Sequence, residues 1–395
     1  MAMQNFHYCN PCDIYLGTDA LARLPDLLSG RKVLIVSGGL GTKASGIVDD
    51  ITGILSDNNI DWIELGGSSV PSYDRVQAGI EICHEAGVEC VLGVGGCSCM
   101  DIAKIIAFGA CHDNLWEYLS GEKEIEGDED HLLIGTIPSY PSGGSEADSA
   151  AEVDDLENGV HGSLYGIFPD FALLNPEYTF SLNAEHTAYA AAVTFVQASI
   201  NYLGEYSPIA EKFTKAVLEG VRDSVKISLQ DPRNYEARAT QMWGSALSTM
   251  GILSCGKGDS WSWAIYTEMD VITECMDLSY RQALTVLFPQ WLAAHAKYHG
   301  DDVRRYMVDI MGVDGLLPIE VAVAEGVAKI TEFFTSLGLP MHYREMGALP
   351  DEESLMEAIN DFLGAESESI PVDDEEEETS ELTAEDMAAM YMRCY

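Results

Sequence analysis

The sequence predicts a parallel α/β domain over residues 1–180 followed by an all-helical domain over residues 181–395. Short β-rich runs alternate with helix-length stretches in the first part, and Gly and β-branched residues thin out in the second. In addition, three Gly- or Ser-rich segments each follow one of the β-rich runs.

Residues 32–37 (KVLIVS), 61–65 (DWIEL), 90–94 (CVLGV) and 132–137 (LLIGTI) are apolar or β-branched runs closed by Gly or Pro. Strands separated by helices imply right-handed crossovers and a mostly parallel sheet, which binds ligands at the carboxyl ends of its strands. From about Leu182 onward, residues 188–202, 208–229, 280–299 and 318–337 carry apolar side chains at helical spacing. A last helix opens at Thr383, where Leu382, Thr383 and Asp386 form a hydrophobic staple and a capping box with Asp in place of Glu. Residues 366–381 are acidic and Ser-rich, which predicts a disordered insertion.

With 395 residues, 47% hydrophobic and 22% charged, the chain is globular and too long for a single core. A formal charge of −44, from 65 acidic and 21 basic side chains, argues against nucleic acid or an anionic membrane as partner. Eleven acids lie between Glu366 and Asp386, so most of the excess is spread over the folded body. A salt-adapted host and ordinary solubility with an acidic tail both account for it. The amino-terminal MAMQNFHYCNP has no basic segment leading into an apolar one, and no run of about eighteen apolar residues occurs, so a cytoplasmic protein with reduced cysteines is expected. Cys9 and Cys12 form a lone C-x-x-C, read as small apolar residues near an edge strand.

Gly95-Gly96-Cys97-Ser98-Cys99 follows the run at residues 90–94 and leads into a helix. Consecutive glycines let backbone approach a ligand, and the helix N-terminus favours an anion such as phosphate. Gly38-Gly39-Leu40-Gly41 and Pro138-Ser139-Tyr140-Pro141-Ser142-Gly143-Gly144-Ser145-Glu146 follow other strands, so three loops on one sheet edge form a candidate dinucleotide cradle. A thiol at a helix N-terminus can also have a lowered pKa, which makes Cys97 and Cys99 candidates for a redox-sensitive element, against simple small-residue packing.

Seven landmarks in order, Gln4-Asn5-Phe6 with Asn10-Pro11, residues 38–43, residues 95–104, Gly144-Ser145-Glu146, residues 175–179 (NPEYT), Trp263-Ala264 and Pro289-Gln290-Trp291, resemble the iron-containing alcohol dehydrogenase family. They are most similar to its butanol dehydrogenase-like branch of NAD(P)H-dependent alcohol and aldehyde reductases. The resemblance implies the dehydroquinate synthase-like fold, with an α/β dinucleotide-binding domain and an all-α C-terminal domain. It further implies that Gly38, Gly39, Gly95, Gly96, Ser98, Asp101, Lys104 and Ser145 hold NAD or NADP. A homodimer, or a pair with a paralogue, is expected on the same ground.

Family members hold iron or zinc with one Asp and three His of the helical half. The corresponding positions here are Val193, Gln197, Tyr266 and Tyr280, a further family His corresponds to Asp270, and the Gly after the last ligand His to Arg281. No iron or zinc is therefore expected. Such an ion polarises the substrate oxygen, and each ~1.4 kcal/mol lost is tenfold in rate. Three readings stand: a binding or regulatory protein without the family reaction; a metal-independent reductase in which Tyr280 or Tyr266 donates a proton beside Arg281 and Asp270; and a conventional metal enzyme with ligands elsewhere. His295 and His299, four apart, are either a metal pair or a solvated helix face.

Overall fold

The computed structural model describes residues 3–68, 70–125, 129–141, 143–258, 260–276, 278–348, 352–369 and 382–395. The four apolar runs are β2 (Val33–Ser37), β3 (Trp62–Leu65), β4 (Cys90–Gly95) and β5 (Leu133–Pro138). With β1 (Asp13–Leu16) and β8 (Phe171–Leu174) they make a parallel six-stranded sheet in the order β1-β8-β5-β4-β2-β3. A separate antiparallel hairpin joins β6 (Ala150–Asp155) to β7 (Val160–Tyr165).

Alternation along β2 sends its side chains to two different cores. Leu34 and Val36 pack with helices α4 (Tyr73–Ala86) and α5 (Cys97–Gly109), whereas Val33 and Ile35 pack with α1 (Leu24–Leu27) and α3 (Ile47–Asp57). Both faces are thus covered, which is why these runs read as continuous apolar segments. Short helices α2 (Leu40–Ala44) and α6 (Leu115–Leu119) complete this part.

The remaining helices are α7 (Ala184–Tyr202), α8 (Pro208–Gln230), α9 (Tyr235–Thr249), α10 (Ile265–Cys275), α11 (Tyr280–His295), α12 (Gly300–Asp309), α13 (Ile319–Ser336), α14 (Glu352–Ser369) and α15 (Ala384–Arg393). The Thr383 cap forms as expected: its hydroxyl accepts from Asp386 N–H, and the Asp386 carboxylate accepts from Thr383 N–H. The helix expected over residues 280–299 ends earlier, at His295, and His299 is the N-cap of α12. Of the insertion expected over residues 366–381, residues 366–369 belong to the end of α14, and residues 370–381 lie outside the described residues.

The chain divides into two compact units, and the division is discontinuous. The α/β unit comprises Tyr8–Asn183 and Asp223–Ile252; the helical unit comprises Met1–His7, Ala184–Arg222 and Leu253–Tyr395. The second segment of the α/β unit is held by packing: Met242 and Ala246 of α9 share a buried cluster with Ala147, Ala172 and Leu174. Gly144 adds a reason at the backbone level, since it has φ +75° and a Cβ there would run into Thr249 of α9.

Candidate functional site

In the α/β unit the chain reverses direction across the sheet between β2 and β4, since β3 lies on one side of this pair and β5, β8 and β1 on the other. Open parallel sheets bind ligands at such a switch point, beyond the carboxyl ends of the strands. The loops there are Gly38-Gly39 after β2 and Gly95-Gly96 after β4. Gly38 N–H donates to Val94 O at 3.1 Å, and Ser139 N–H donates to Gly95 O at 2.8 Å, which draws the three loops together.

The glycines divide by cause. Gly38 and Gly95 are required by packing, because a Cβ on either would meet Thr42 and the Cys99 sulfur. Gly39 meets nothing within 4 Å and Gly96 only Tyr140 at 3.9 Å, so their bareness faces open space and suits a ligand that needs backbone contact. Gly96 is the N-cap of the thirteen-residue α5, and Ser98 lies partly exposed in its first turn. A dinucleotide diphosphate fits this arrangement. Leu40, the next residue of the first loop, is 88% exposed.

Asp101, Lys104 and Ser145 sit beneath the loops. Ser145 Oγ donates to Asp101 Oδ1 at 2.5 Å. The Lys104 ammonium, fully buried, donates to Asp148 Oδ1 (2.7 Å), Asp148 O (3.2 Å) and Ala150 O (2.8 Å), which engages all three of its donors. These three residues fasten the third loop to α5 from below. Glu146, which the sequence marked only as part of the Gly144-Ser145-Glu146 landmark, and Asp148, which it did not mark, belong to the same cluster; the signal was two acids two and four residues after a glycine pair. Burial pushes the Asp101 carboxyl up to about 8, against the opposing effects of Lys104 and the Ser145 hydroxyl, and the Glu146 carboxyl up to about 7.

Of the two readings of Cys97 and Cys99, burial favours small-residue packing over a reactive thiol. Burial holds the Cys97 thiol well above its ordinary range and pushes Cys99 up to about 12, outweighing the helix N-terminus. Cys97 packs against Gly143, where a Cβ would collide with its sulfur. A cavity of about 720 Å³ lies at the other edge of the sheet, lined by Asp13, Leu133 and Phe171 at the strands' amino ends, away from the glycine loops.

In the helical unit, Val193 and Gln197 lie one turn apart on α7 and are buried, 0% and 5% exposed. Tyr266 of α10 and Tyr280 of α11 have nearly parallel rings, 6.3 Å between centroids and 8° between planes. Tyr280 is 39% exposed. The Arg281 guanidinium lies 5.3 Å from the centre of the Tyr189 ring, and His186 is held below its usual range by burial and then by the Arg281 charge. Asp270 lies on α10, one turn beyond Tyr266, and is exposed.

These side chains do not fit a divalent iron or zinc ion. Val193 offers no donor atom, Gln197 only a neutral amide oxygen, and the two phenols are ordinarily protonated. Among the described residues, no group of three His, Cys, Asp or Glu is placed to hold a metal. His295 has another role and is not a solvated face: 2% exposed, its Nε2 lies 3.1 Å from the buried Glu268 carboxylate, and its ring stacks with Trp261 and packs at a tilt against Trp291.

Fold and loops define a parallel α/β domain of the kind that binds dinucleotides, with a helical second domain. Residues 11–176 match the family model for iron-containing alcohol dehydrogenase, and residues 202–386 match that for the C-terminal part of the Fe-containing alcohol dehydrogenase family. The chain is 30% identical over 368 residues to NADH-dependent butanol dehydrogenase A of Clostridium acetobutylicum, covering 90% of this chain and 92% of that protein. It is 26% identical over 355 residues to an NADPH-dependent aldehyde reductase of Escherichia coli, covering 87% and 90%. Among solved structures, NADH-dependent butanol dehydrogenase A of Thermotoga maritima superposes with a TM-score of 0.88 at 22% identity, covering 99% of this chain and 98% of that one. The chain belongs to the iron-containing alcohol dehydrogenase family, and is by ancestry an NAD(P)-dependent alcohol or aldehyde oxidoreductase.

Proposed function

We propose that this chain binds a nicotinamide dinucleotide through the loops after β2, β4 and β5 and has lost the metal-dependent alcohol–aldehyde reaction of its family, acting as a binding or regulatory protein. The observation that carries the second half is Val193. A fully buried side chain with no donor atom stands at the position that the resemblance pairs with the family's Asp ligand, one turn from an amide and in the same unit as two phenols. The first half is supported by the open glycines at the β2–β4 switch point and by the cofactors named for the relatives.

Under this proposal Gly39, Gly96 and Ser98 meet the diphosphate, Gly38 and Gly95 hold the loops at the right separation, and Asp101, Lys104 and Ser145 support them from below. The bound nucleotide would supply hydride-transfer chemistry. Titrating the purified protein with NADH and with NADPH, following tryptophan fluorescence, tests the first half: saturation at micromolar concentration is expected. Metal analysis and an aldehyde screen test the second, with substoichiometric iron and zinc and no turnover expected. Stoichiometric metal with robust turnover would refute it.

A second reading, favoured by the exposure of Tyr280 beside Arg281, is a metal-independent aldehyde reductase in which the Tyr280 phenol gives its proton to the carbonyl oxygen and Arg281 supplies positive charge. Turnover that falls sharply in Y280F would select this reading. A homodimer, or a pair with an active paralogue, is part of the proposal, and its mass in solution is the test.

A further inference from the structure

The interior beneath the third glycine loop holds more acid than it can neutralise. Lys104 engages its whole ammonium with Asp148 and Ala150, so Asp148 is paired. Asp101 and Glu146 are also inside, 9% and 0% exposed, with no second cation among the groups whose charge bears on them. Those groups are Lys104 and Asp148 for both, and Glu152 of β6 for Asp101; the Cys97 and Cys12 thiols, in turn, sense the Glu146 charge. Asp101 has the Ser145 hydroxyl as donor. Both Glu146 carboxyl oxygens are buried, and apart from the residue's own backbone N–H, whose effect burial outweighs, neither has a hydrogen-bond partner.

An unpartnered carboxylate inside a protein costs several kcal/mol, whereas a protonated carboxyl costs far less. The Glu146 backbone is fastened from both sides. Its carbonyl accepts from Thr136 Oγ1 at 2.8 Å at the end of β5, its neighbour Ser145 is tied to Asp101, and Gly143 N–H reaches Ser245 Oγ at 3.4 Å. Ionised Glu146 therefore pulls against the loop that carries Gly143, Gly144 and Ser145.

We infer that Glu146 carries a proton whenever the third loop is seated, and that losing it unseats the loop, so that dinucleotide binding is linked to proton binding at this residue. The inference rests on the proposal that the glycine loops bind a dinucleotide. Burial, which raises both acids, points the same way: affinity is full at low pH and declines as pH rises past about 7. By linkage, nucleotide binding above that pH takes up a proton.

The test is calorimetric titration with NADH, which has no 2′-phosphate to titrate, between pH 6 and pH 9 in pairs of buffers with different ionisation enthalpies. Wild type should bind about tenfold or more weakly at pH 9 than at pH 6, with net proton uptake near pH 8. E146Q, which keeps the shape and removes the ionisation, should bind at both pH values as wild type does at pH 6. A flat wild-type profile without proton uptake overturns this inference alone, as does an E146Q profile with the wild-type slope. No NADH binding at any pH overturns the dinucleotide proposal and this inference with it. Should E146Q fail to fold, D101N decides, because the Asp101 carboxyl titrates in the same range: proton uptake that persists in D101N supports Glu146, and uptake lost in D101N overturns the inference.

Discussion

Lys104 and Asp148 form a buried ion pair with Nζ and Oδ1 2.7 Å apart, at side-chain exposures of 0% and 12%. Removing the cation leaves Asp148 unpaired beside Asp101 and Glu146, and breaking one side of a buried pair typically costs about 3–5 kcal/mol. K104M should therefore lower the melting temperature markedly. K104M/D148N should recover part of the loss, because the amide has no charge to strand. Differential scanning calorimetry of the three proteins checks this, and equal destabilisation in single and double variants would show that the pair carries no such energy.

Glu146 gives stability a definite pH dependence. Below pH 4.5 it is protonated whether the chain is folded or not, and contributes nothing. Between 4.5 and about 7 the unfolded chain ionises while the folded chain keeps its proton, so stability falls as pH rises, and above about 7 the full penalty is present. Moving a carboxyl from 4.5 to about 7 corresponds to roughly 3 kcal/mol. E146Q should match wild type near pH 4.5 and melt higher than wild type at pH 8. Melting curves across that range are the measurement, and coincident curves at pH 8 would refute the assignment.

The thiols make a quick test of the loop geometry. Cys97 and Cys99 are raised by burial; Cys9 and Cys111 are exposed to the reagent, although burial raises the Cys111 thiol too. Thiolate is the reactive form, so iodoacetamide at pH 8 should label Cys9 and Cys111 well before Cys97 and Cys99. Peptide mass spectrometry over a time course reads the order. Early labelling at Cys97 would mean that the loop opens readily in solution.

Strands and helices were legible where one periodicity governed the whole segment. β2 and β4 are covered on both faces, so their apolar runs are unbroken, and the Thr383 capping box is a local hydrogen-bond pattern written in three residues. The attachment of α9 to the α/β unit was not legible, because it depends on Met242 and Ala246 meeting Ala172 and Leu174 across some seventy residues of chain. In the site, the glycines announced a ligand loop but not which of them face outward; only the neighbours of Gly38 and Gly95 separate packing from openness. The resemblance put Lys104 among the cofactor residues, but the sequence did not show that its stem ends among backbone carbonyls and the Asp148 carboxylate, because those partners lie some forty residues away in the chain. The Glu268–His295 pair escaped because an acid on one helix and a histidine on the next carry no shared spacing signal.

Restoring donors should restore a metal. Val193 and Gln197 are four apart on α7, and Asp and His at that spacing on one helix face can ligate a common ion. Tyr266 and Tyr280 face each other with centroids 6.3 Å apart, and imidazoles at these positions are smaller than the phenols they replace. V193D/Q197H/Y266H/Y280H should therefore bind zinc stoichiometrically, while wild type binds less than about a tenth of an equivalent at equal free zinc. V193D alone should be destabilised, because it places a lone carboxylate at a position with no exposed surface, at a cost on the order of several kcal/mol, and zinc should raise the melting temperature of the quadruple variant only. Zinc binding by wild type as tight as by the quadruple variant would mean that the ion uses other residues, and the proposal of a lost metal site would fall.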